Sequence, residues 1–273
     1  MKKILFVCDG DNFPKGAVDF IKMINENEPV HVKALFFAPV DFQQMIPVSY
    51  IPVAEPYVRL KESEKKLVHK SMELFTSLCE ANNIKYQVNG NDEVDKDLLI
   101  KESRFADALV ISEELFCSDY MSYQPNVYMK EVLHGAECPV VVVPEVFARP
   151  DRIVAAYDGR KESMIALKQF CYLFPQLTEL PAEFVYIKND EGEDVPDQGL
   201  LKEYVTDHFN SSGIAKLHFD SNKYFTAWAE KKKNILLVAG SYGRSAVSDL
   251  FHSSFAEQVI HEHKMPVFIA HHG

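Results

Sequence analysis

A segment in the last quarter of the chain combines glycine, arginine and hydroxyl residues in an order typical of anion-binding loops. It follows the apolar residues 235–239 and reads Gly240-Ser-Tyr-Gly243-Arg244-Ser. The apolar run predicts a strand that leads into a helix. Glycines at such a junction let the backbone approach an anion, and amides at a helix N-terminus can bind phosphate oxygens. A tight turn or a helix cap would explain the two glycines equally well without a ligand.

Two aspartates are further candidates for binding a ligand, because each lies at the end of an apolar run and before a glycine. They are Asp9, before Gly10, and Asp158, before Gly159. A carboxylate at a strand end can hydrogen-bond a ligand or a nearby amide, although Asp-Gly is also a common turn. We favour the ligand role for Asp158, which shares its half of the chain with the glycine segment, and the structural role for Asp9.

Other catalytic or metal-binding patterns are weak. The chain has no Ser-His-Asp order, paired-carboxylate signature or Walker lysine. The adjacent His271 and His272 would point to opposite faces of a strand, which disfavours a shared metal ion. The five cysteines are an odd number without CxxC spacing, so we expect buried thiols rather than disulfides or a zinc site.

The elements that would position these residues occur twice. Residues 3–10 and 152–159 each read as a basic residue, an apolar run and Asp-Gly, and residues 132–142 match 259–269 in the order helix, proline, strand. The first copy carries about 22 extra residues, best placed at 42–59, where repeated prolines disfavour a regular helix or a central strand. The sequence therefore predicts two domains, 1–149 and 150–273.

Apolar runs and helix-like stretches alternate within each copy. Strands are predicted at residues 30–37, 84–89, 108–111 and 140–143, and again at 184–187, 215–219, 235–239 and 267–270. Helices are predicted at residues 16–25, 57–82 and 92–105, and again at 163–173, 198–209 and 225–232. This alternation predicts an α/β fold with two tandem open parallel sheets of Rossmann-like topology.

Together these motifs resemble the universal stress protein family. The signature of that family is Gly-x-x-Gly, nine residues, then Gly followed by Ser or Thr, and Gly240 and Gly243 match its first two positions. Arg244-Ser, the run that begins Phe255-Ala-Glu, the His-x-x-x-x-Pro-Val endings of both copies and the strand-terminal aspartates extend the resemblance over nearly the whole chain. The resemblance implies adenine nucleotide alpha hydrolase-like topology and pairing of the two copies through their last strands.

The same resemblance implies a nucleotide site. ATP-binding members of the family hold adenosine between the first two strands and phosphates on the glycine loop. Carried over to this chain, ATP or AMP, with Mg²⁺ accompanying ATP, would contact Asp158, Gly159, Ile187, Gly240, Gly243, Arg244, Ser253, Ser254 and Phe255.

Two departures from the family pattern bear on that site. Ser253 stands where the third glycine belongs, and weaker binding, AMP in place of ATP, and loss of binding all remain open. In the first copy the counterpart of Gly240 begins Ser112-Glu113-Glu114. Carboxylates there would repel phosphate, so we interpret the first copy as degenerate, unless its strand has been misaligned.

Composition excludes other classes of protein. The chain has 29 Lys and Arg against 40 Asp and Glu, a net charge of -11, which disfavours nucleic-acid binding. The chain contains no run of about 18 apolar residues, which is the length needed to span a bilayer. We therefore expect a cytoplasmic protein with no membrane partner.

Three functions remain compatible with the sequence. The leading hypothesis is an adenine-nucleotide-responsive stress or signalling protein that binds ATP or AMP in its C-terminal domain. The alternative is a nucleotide-free tandem scaffold for an unknown protein partner. An ATP-hydrolysing enzyme would depend on fold analogy alone. Intramolecular pairing of the domains is expected, and a homodimer is compatible with it.

Overall fold

Strands and helices alternate along both halves of the chain. The structure is a computed structural model that describes residues 1–10, 13–37, 55–90, 96–116, 131–133, 135–188, 194–218, 228, 231–232, 234–240 and 265–270. The first half contains β1 (Lys2–Asp9), α1 (Lys15–Asn27), β2 (Val30–Phe37), α2 (Glu55–Ala81), β3 (Lys85–Gly90), α3 (Lys96–Ser103), β4 (Ala108–Ser112), α4 (Glu113–Phe116) and β5 (Val140–Val143). The second half contains β6 (Arg152–Tyr157), α5 (Lys161–Leu173), a 3₁₀ turn (Pro175–Leu177), β7 (Ala182–Lys188), α6 (Gln198–His208), β8 (Ser212–His218), β9 (Ile235–Gly240) and β10 (Val267–Ala270).

The strands of the described residues form one sheet in the order β3-β2-β1-β4-β5-β10-β9-β6-β7-β8. Neighbouring strands are parallel within each half, and the two halves have the same internal order. They meet where β5 pairs antiparallel with β10, with Val141 opposite Phe268. The prediction that the last strands of the two copies pair is therefore confirmed.

Burial explains why these runs become strands. Every residue of β4, β5, β9 and β10 is buried, as expected for strands covered by helices on both faces. The apolar side chains form one core on each face of the sheet. The larger core continues from the first half, where Phe6 stacks on Phe75 of α2, to the second, where Phe170 contacts Phe268.

Most predicted elements are present, with differences at their ends. The prediction that residues 42–59 are irregular is wrong at the C-terminal end of that range, because α2 already begins at Glu55. Pro56 is tolerated there because the amides of the first helical turn have no partner within the helix. β8 begins at Ser212 rather than 215, because pairing with Ala182 of β7 extends it into a polar stretch. Of the helix predicted at 225–232, Trp228 is helical and residues 231–232 are not. In the described part of the chain, no helix is both long and apolar enough to cross a membrane.

Candidate functional site

The carboxyl ends of three neighbouring strands bring several predicted site residues to one edge of the sheet. β6 lies between β9 and β7, with Tyr157 opposite Tyr186 and Ala155 opposite Val238. By this register Gly240, Asp158 and Ile187 all lie at the same edge. Open parallel sheets bind ligands at this edge, so these residues lie where a ligand would be expected.

Asp158 lies directly after β6 with its two carboxylate oxygens in different environments. Oδ1 accepts a hydrogen bond from the backbone N–H of Arg160 at 3.0 Å. Oδ2 is buried and, among the described residues, receives no hydrogen bond; the Nε of Arg160 lies 3.7 Å away. A buried carboxylate oxygen without a donor is costly, and a ligand hydroxyl would satisfy it.

The helix that follows Asp158 presents its N-terminus to this edge. α5 begins at Lys161, and its N-cap residue Arg160 makes no capping hydrogen bond through its side chain. The partial positive charge of a helix N-terminus favours an anion here, and two basic residues lie close by, Arg160 at 3.7 Å from the Asp158 carboxylate and Lys161 at 3.8 Å from that of Glu162. Neither basic residue was predicted, although their position after Asp-Gly and before a helix could have signalled it.

Gly240 lies against the first turn of α5. A Cβ at Gly240 would lie 2.5 Å from the carbonyl carbon of Glu162 and 2.6 Å from the amide nitrogen of Ser163. A glycine is therefore required at Gly240 by helix–strand packing. The same contact brings the start of the glycine segment to the helix N-terminus.

The segment Val195-Pro196-Asp197, which precedes α6, also lies at this site and was not predicted from the sequence. The hydroxyl of the buried Tyr157 donates a hydrogen bond to the Pro196 carbonyl oxygen at 3.0 Å. Burial first, and then the carboxylates of Asp197 and Asp158, raise the pKa of Tyr157 above its ordinary value. Tyr157 therefore remains a neutral donor at physiological pH.

The remaining predicted residues are placed only in part. The backbone of Ile187 is in β7, paired with Leu217 of β8. Gly243, Arg244, Ser253, Ser254 and Phe255 lie outside the described residues. The site described is thus the Asp158 and Gly240 side of the predicted pocket.

The matching edge of the first half is built differently. The hydroxyl of Ser112, at the end of β4, accepts a hydrogen bond from the Leu115 amide and so caps α4, which contains Glu113 and Glu114. Helix α2 packs on Gly10, where a Cβ would lie 2.8 Å from the amide nitrogen of Val68. In the first half, a short helix with two acidic residues therefore lies at the position that corresponds to Gly240 in the second half.

Metal ligands and nucleophilic thiols do not gather elsewhere in the described structure. No group of three His, Cys, Asp or Glu side chains converges among the described residues, and His271 and His272 lie outside them. Four of the five cysteines are buried, as predicted: Cys8, Cys79, Cys138 and Cys171.

A shallow open cleft of about 290 Å³ lies at the opposite edge of the sheet, between the starts of β6, β7 and β8. Arg152, Glu183 and Ser212 are among its lining residues. Because ligands of parallel sheets bind at the carboxyl ends of strands, we do not assign the nucleotide to this cleft.

Comparison with known proteins supports the fold. No family model matches the chain, and no curated protein matches it. A universal stress protein from Archaeoglobus fulgidus is 17% identical, with 100% of this chain and 97% of that chain covered and a TM-score of 0.71. A candidate universal stress protein from Pseudomonas aeruginosa is 13% identical, with 99% and 93% covered and a TM-score of 0.58.

A universal stress protein family protein from Arabidopsis thaliana, solved with AMP bound, matches a smaller part. It is 17% identical, with 53% of this chain and 92% of that chain covered and a TM-score of 0.36. Because this TM-score is low, the AMP of that protein is not taken as evidence for a ligand of this chain. The fold itself rests on the two longer matches, which cover the chain almost completely.

Proposed function

We propose that this chain, which has the fold of universal stress proteins, binds an adenine nucleotide at the carboxyl edge of β6, β7 and β9. In this proposal Asp158 receives the ribose, the backbone of Ile187 reads the adenine, and the phosphates lie between the N-terminus of α5 and the glycine segment. ATP or AMP is the ligand, and Mg²⁺ would accompany ATP. Binding would change the stability or pairing of two domains, 1–149 and 150–273, in a stress or signalling response.

The observation that carries the proposal is the buried Oδ2 of Asp158 beside a helix N-terminus whose N-cap residue, Arg160, makes no capping hydrogen bond through its side chain. The carboxylate offers an acceptor for a ligand hydroxyl, and the helix offers amides and positive charge for an anion. Ribose and phosphate supply these two groups in one molecule. Asp158 precedes Lys161, the first residue of α5, by three positions in the chain.

The contrast between the halves supports a single site per chain. In the first half, Glu113 and Glu114 follow β4 directly, and α2 covers Gly10. Like charges would repel phosphate, and the helix would have to leave the turn before a ligand could reach it. We therefore propose that the first half pairs with the second and contributes no nucleotide site.

Calorimetry with AMP, ADP and ATP tests the proposal. We expect one nucleotide per chain, and the variant Gly243→Asp should bind about tenfold or more weakly, equivalent to about 1.4 kcal/mol, because a carboxylate would face the phosphates. Glu113→Ala, the matched change in the first half, should leave the affinity unchanged.

Three other results would redirect the assignment. Two nucleotides per chain, or equal affinity in Gly243→Asp, would show that the wrong loop has been chosen. No heat at millimolar nucleotide with a folded protein would favour the nucleotide-free scaffold. Phosphate release that requires Mg²⁺ and is lost in Asp158→Ala would favour the ATP-hydrolysing enzyme.

A further inference from the structure

The segment Val195-Pro196-Asp197, called the latch below, is held against the turn that follows β6. Its one described hydrogen bond to that strand comes from the Tyr157 hydroxyl and joins residues 39 positions apart in the chain. The side chain of Val195 is 7% exposed, so the latch is also anchored by burial. Tyr157 as a whole is 4% exposed, and its hydroxyl bond is partly buried.

Contact between Pro196 and Gly159 brings the latch onto the candidate site itself. Gly159 has a φ of +78°, and a Cβ built there would lie 2.6 Å and 2.7 Å from Cβ and Cγ of Pro196. The proline ring therefore occupies the space directly over the turn. Any residue larger than glycine would be strained by its backbone angle and would displace the ring as well.

One residue of the latch has a backbone conformation that is uncommon outside glycine. Asp197 has a φ of +48° and ψ of +33°, in the left-handed region, and its side chain makes no capping hydrogen bond to α6. Left-handed angles at a residue other than glycine persist only where surrounding contacts impose them. Here the contacts described are the Tyr157 hydrogen bond, the Pro196–Gly159 contact and the burial of Val195.

We propose that the latch closes the Asp158–Gly159 turn in the ligand-free protein and that an adenine nucleotide must displace it, so that Tyr157 sets the affinity of the site. The inference rests on the proposed nucleotide function. If the open form is a minor state, the apparent dissociation constant is the intrinsic constant divided by the open fraction. Loss of the Tyr157 hydrogen bond should raise the open fraction and tighten binding.

Tyr157→Phe tests the latch because it removes the hydroxyl and keeps the buried ring. Hydrogen exchange of the backbone amides of residues 195–201, measured without nucleotide, should be faster in the variant by about two- to tenfold, as expected for one lost hydrogen bond. The dissociation constant for AMP should fall by a similar factor. Pro196→Ala, which removes the ring from Gly159 and leaves Tyr157 intact, should change both quantities in the same direction.

The matched control is Tyr86→Phe, which removes a tyrosine hydroxyl bonded to Glu80 at 2.8 Å in the first half. It should alter neither the exchange of residues 195–201 nor the affinity for AMP. Thermal unfolding of each variant confirms that it is folded.

The outcomes separate the latch from the nucleotide function. Unchanged exchange in Tyr157→Phe would overturn the latch. Faster exchange with an unchanged affinity for AMP would also overturn it. Faster exchange with weaker AMP binding would overturn it because the hydroxyl would then bind the ligand. Faster exchange with no AMP binding by any variant or by the unaltered protein would support the latch and overturn the proposed nucleotide function.

Discussion

At the scale of single residues, the buried thiols show how strongly the core excludes charge. Burial raises the pKa of Cys138 from its ordinary 9.0 to about 12, and the Asp107 carboxylate adds to the increase. Burial raises the pKa of Cys79 to about 12 as well. Such thiols remain protonated at neutral pH, so neither is a nucleophile in the folded protein.

These thiols predict a loss of stability at alkaline pH. In the unfolded chain they lose their protons near pH 9, whereas the folded chain retains them to about 12, so the free energy of unfolding should fall as the pH rises between these values. Cys138→Ala should make this fall shallower by up to about 1.4 kcal/mol per pH unit. Urea unfolding between pH 8 and about 10.5 measures it; parallel curves for the two proteins would contradict the assignment.

At the scale of elements, the packing of β9 on α5 explains why Gly240 is a glycine. The φ of Gly240 is not in the left-handed region, so the backbone angle alone would accept other residues. It is the approach of the Glu162 and Ser163 backbone that leaves no room for a side chain. The glycine required by the nucleotide motif is thus required first by the fold.

Gly240→Ala should therefore destabilise the protein even without a ligand. We expect a loss of about 1–3 kcal/mol in the free energy of unfolding, as for other overpacked sites. Gly213→Ala is the matched control, since Gly213 is also in a strand and a Cβ there would meet no described atom within 4 Å. The control should change stability by about 0.5 kcal/mol or less. Equal stabilities of the two variants in urea would refute the packing explanation.

At the scale of the whole molecule, aromatic side chains join the two halves beyond the β5–β10 pair. The ring of Phe20 in α1 lies 5.9 Å from that of Phe174 after α5, and Phe174 lies 5.9 Å from Phe268 of β10. All three rings are at most 1% exposed. A core that crosses the join in this way couples the unfolding of one half to that of the other.

We expect a single cooperative unfolding transition for the whole chain. Trp228 fluorescence, which reports on the second half, and hydrogen exchange of β2, in the first half, should share one urea midpoint. Phe174→Ala should lower the free energy of unfolding by about 3–5 kcal/mol and move both probes together. Tyr172→Ala, at a side chain 73% exposed in α5, should have little effect. Separate midpoints for the two probes would show that the halves unfold independently.

The sequence by itself determined most of the strands and helices and the turns that follow them. Buried parallel strands require continuous apolar runs, and the turns after them require residues such as Asp-Gly, so both are visible in a short stretch of chain. Strands β2, β5 and β10 match their predicted ranges, and Asp158 and Gly240 lie at the carboxyl ends of β6 and β9. The resemblance to the universal stress protein family also predicted the pairing of β5 with β10.

Only the tertiary structure decided what packs on those residues. The Tyr157–Pro196 hydrogen bond, the contact of Gly240 with α5 and the position of α2 over Gly10 each join residues that are far apart in the chain. Such contacts leave no periodic pattern, because they depend on how helices settle on the finished sheet rather than on local preference. For the same reason the sequence could identify Gly240 as part of a motif. Only the packing of α5 against Gly240 shows why no other residue fits there.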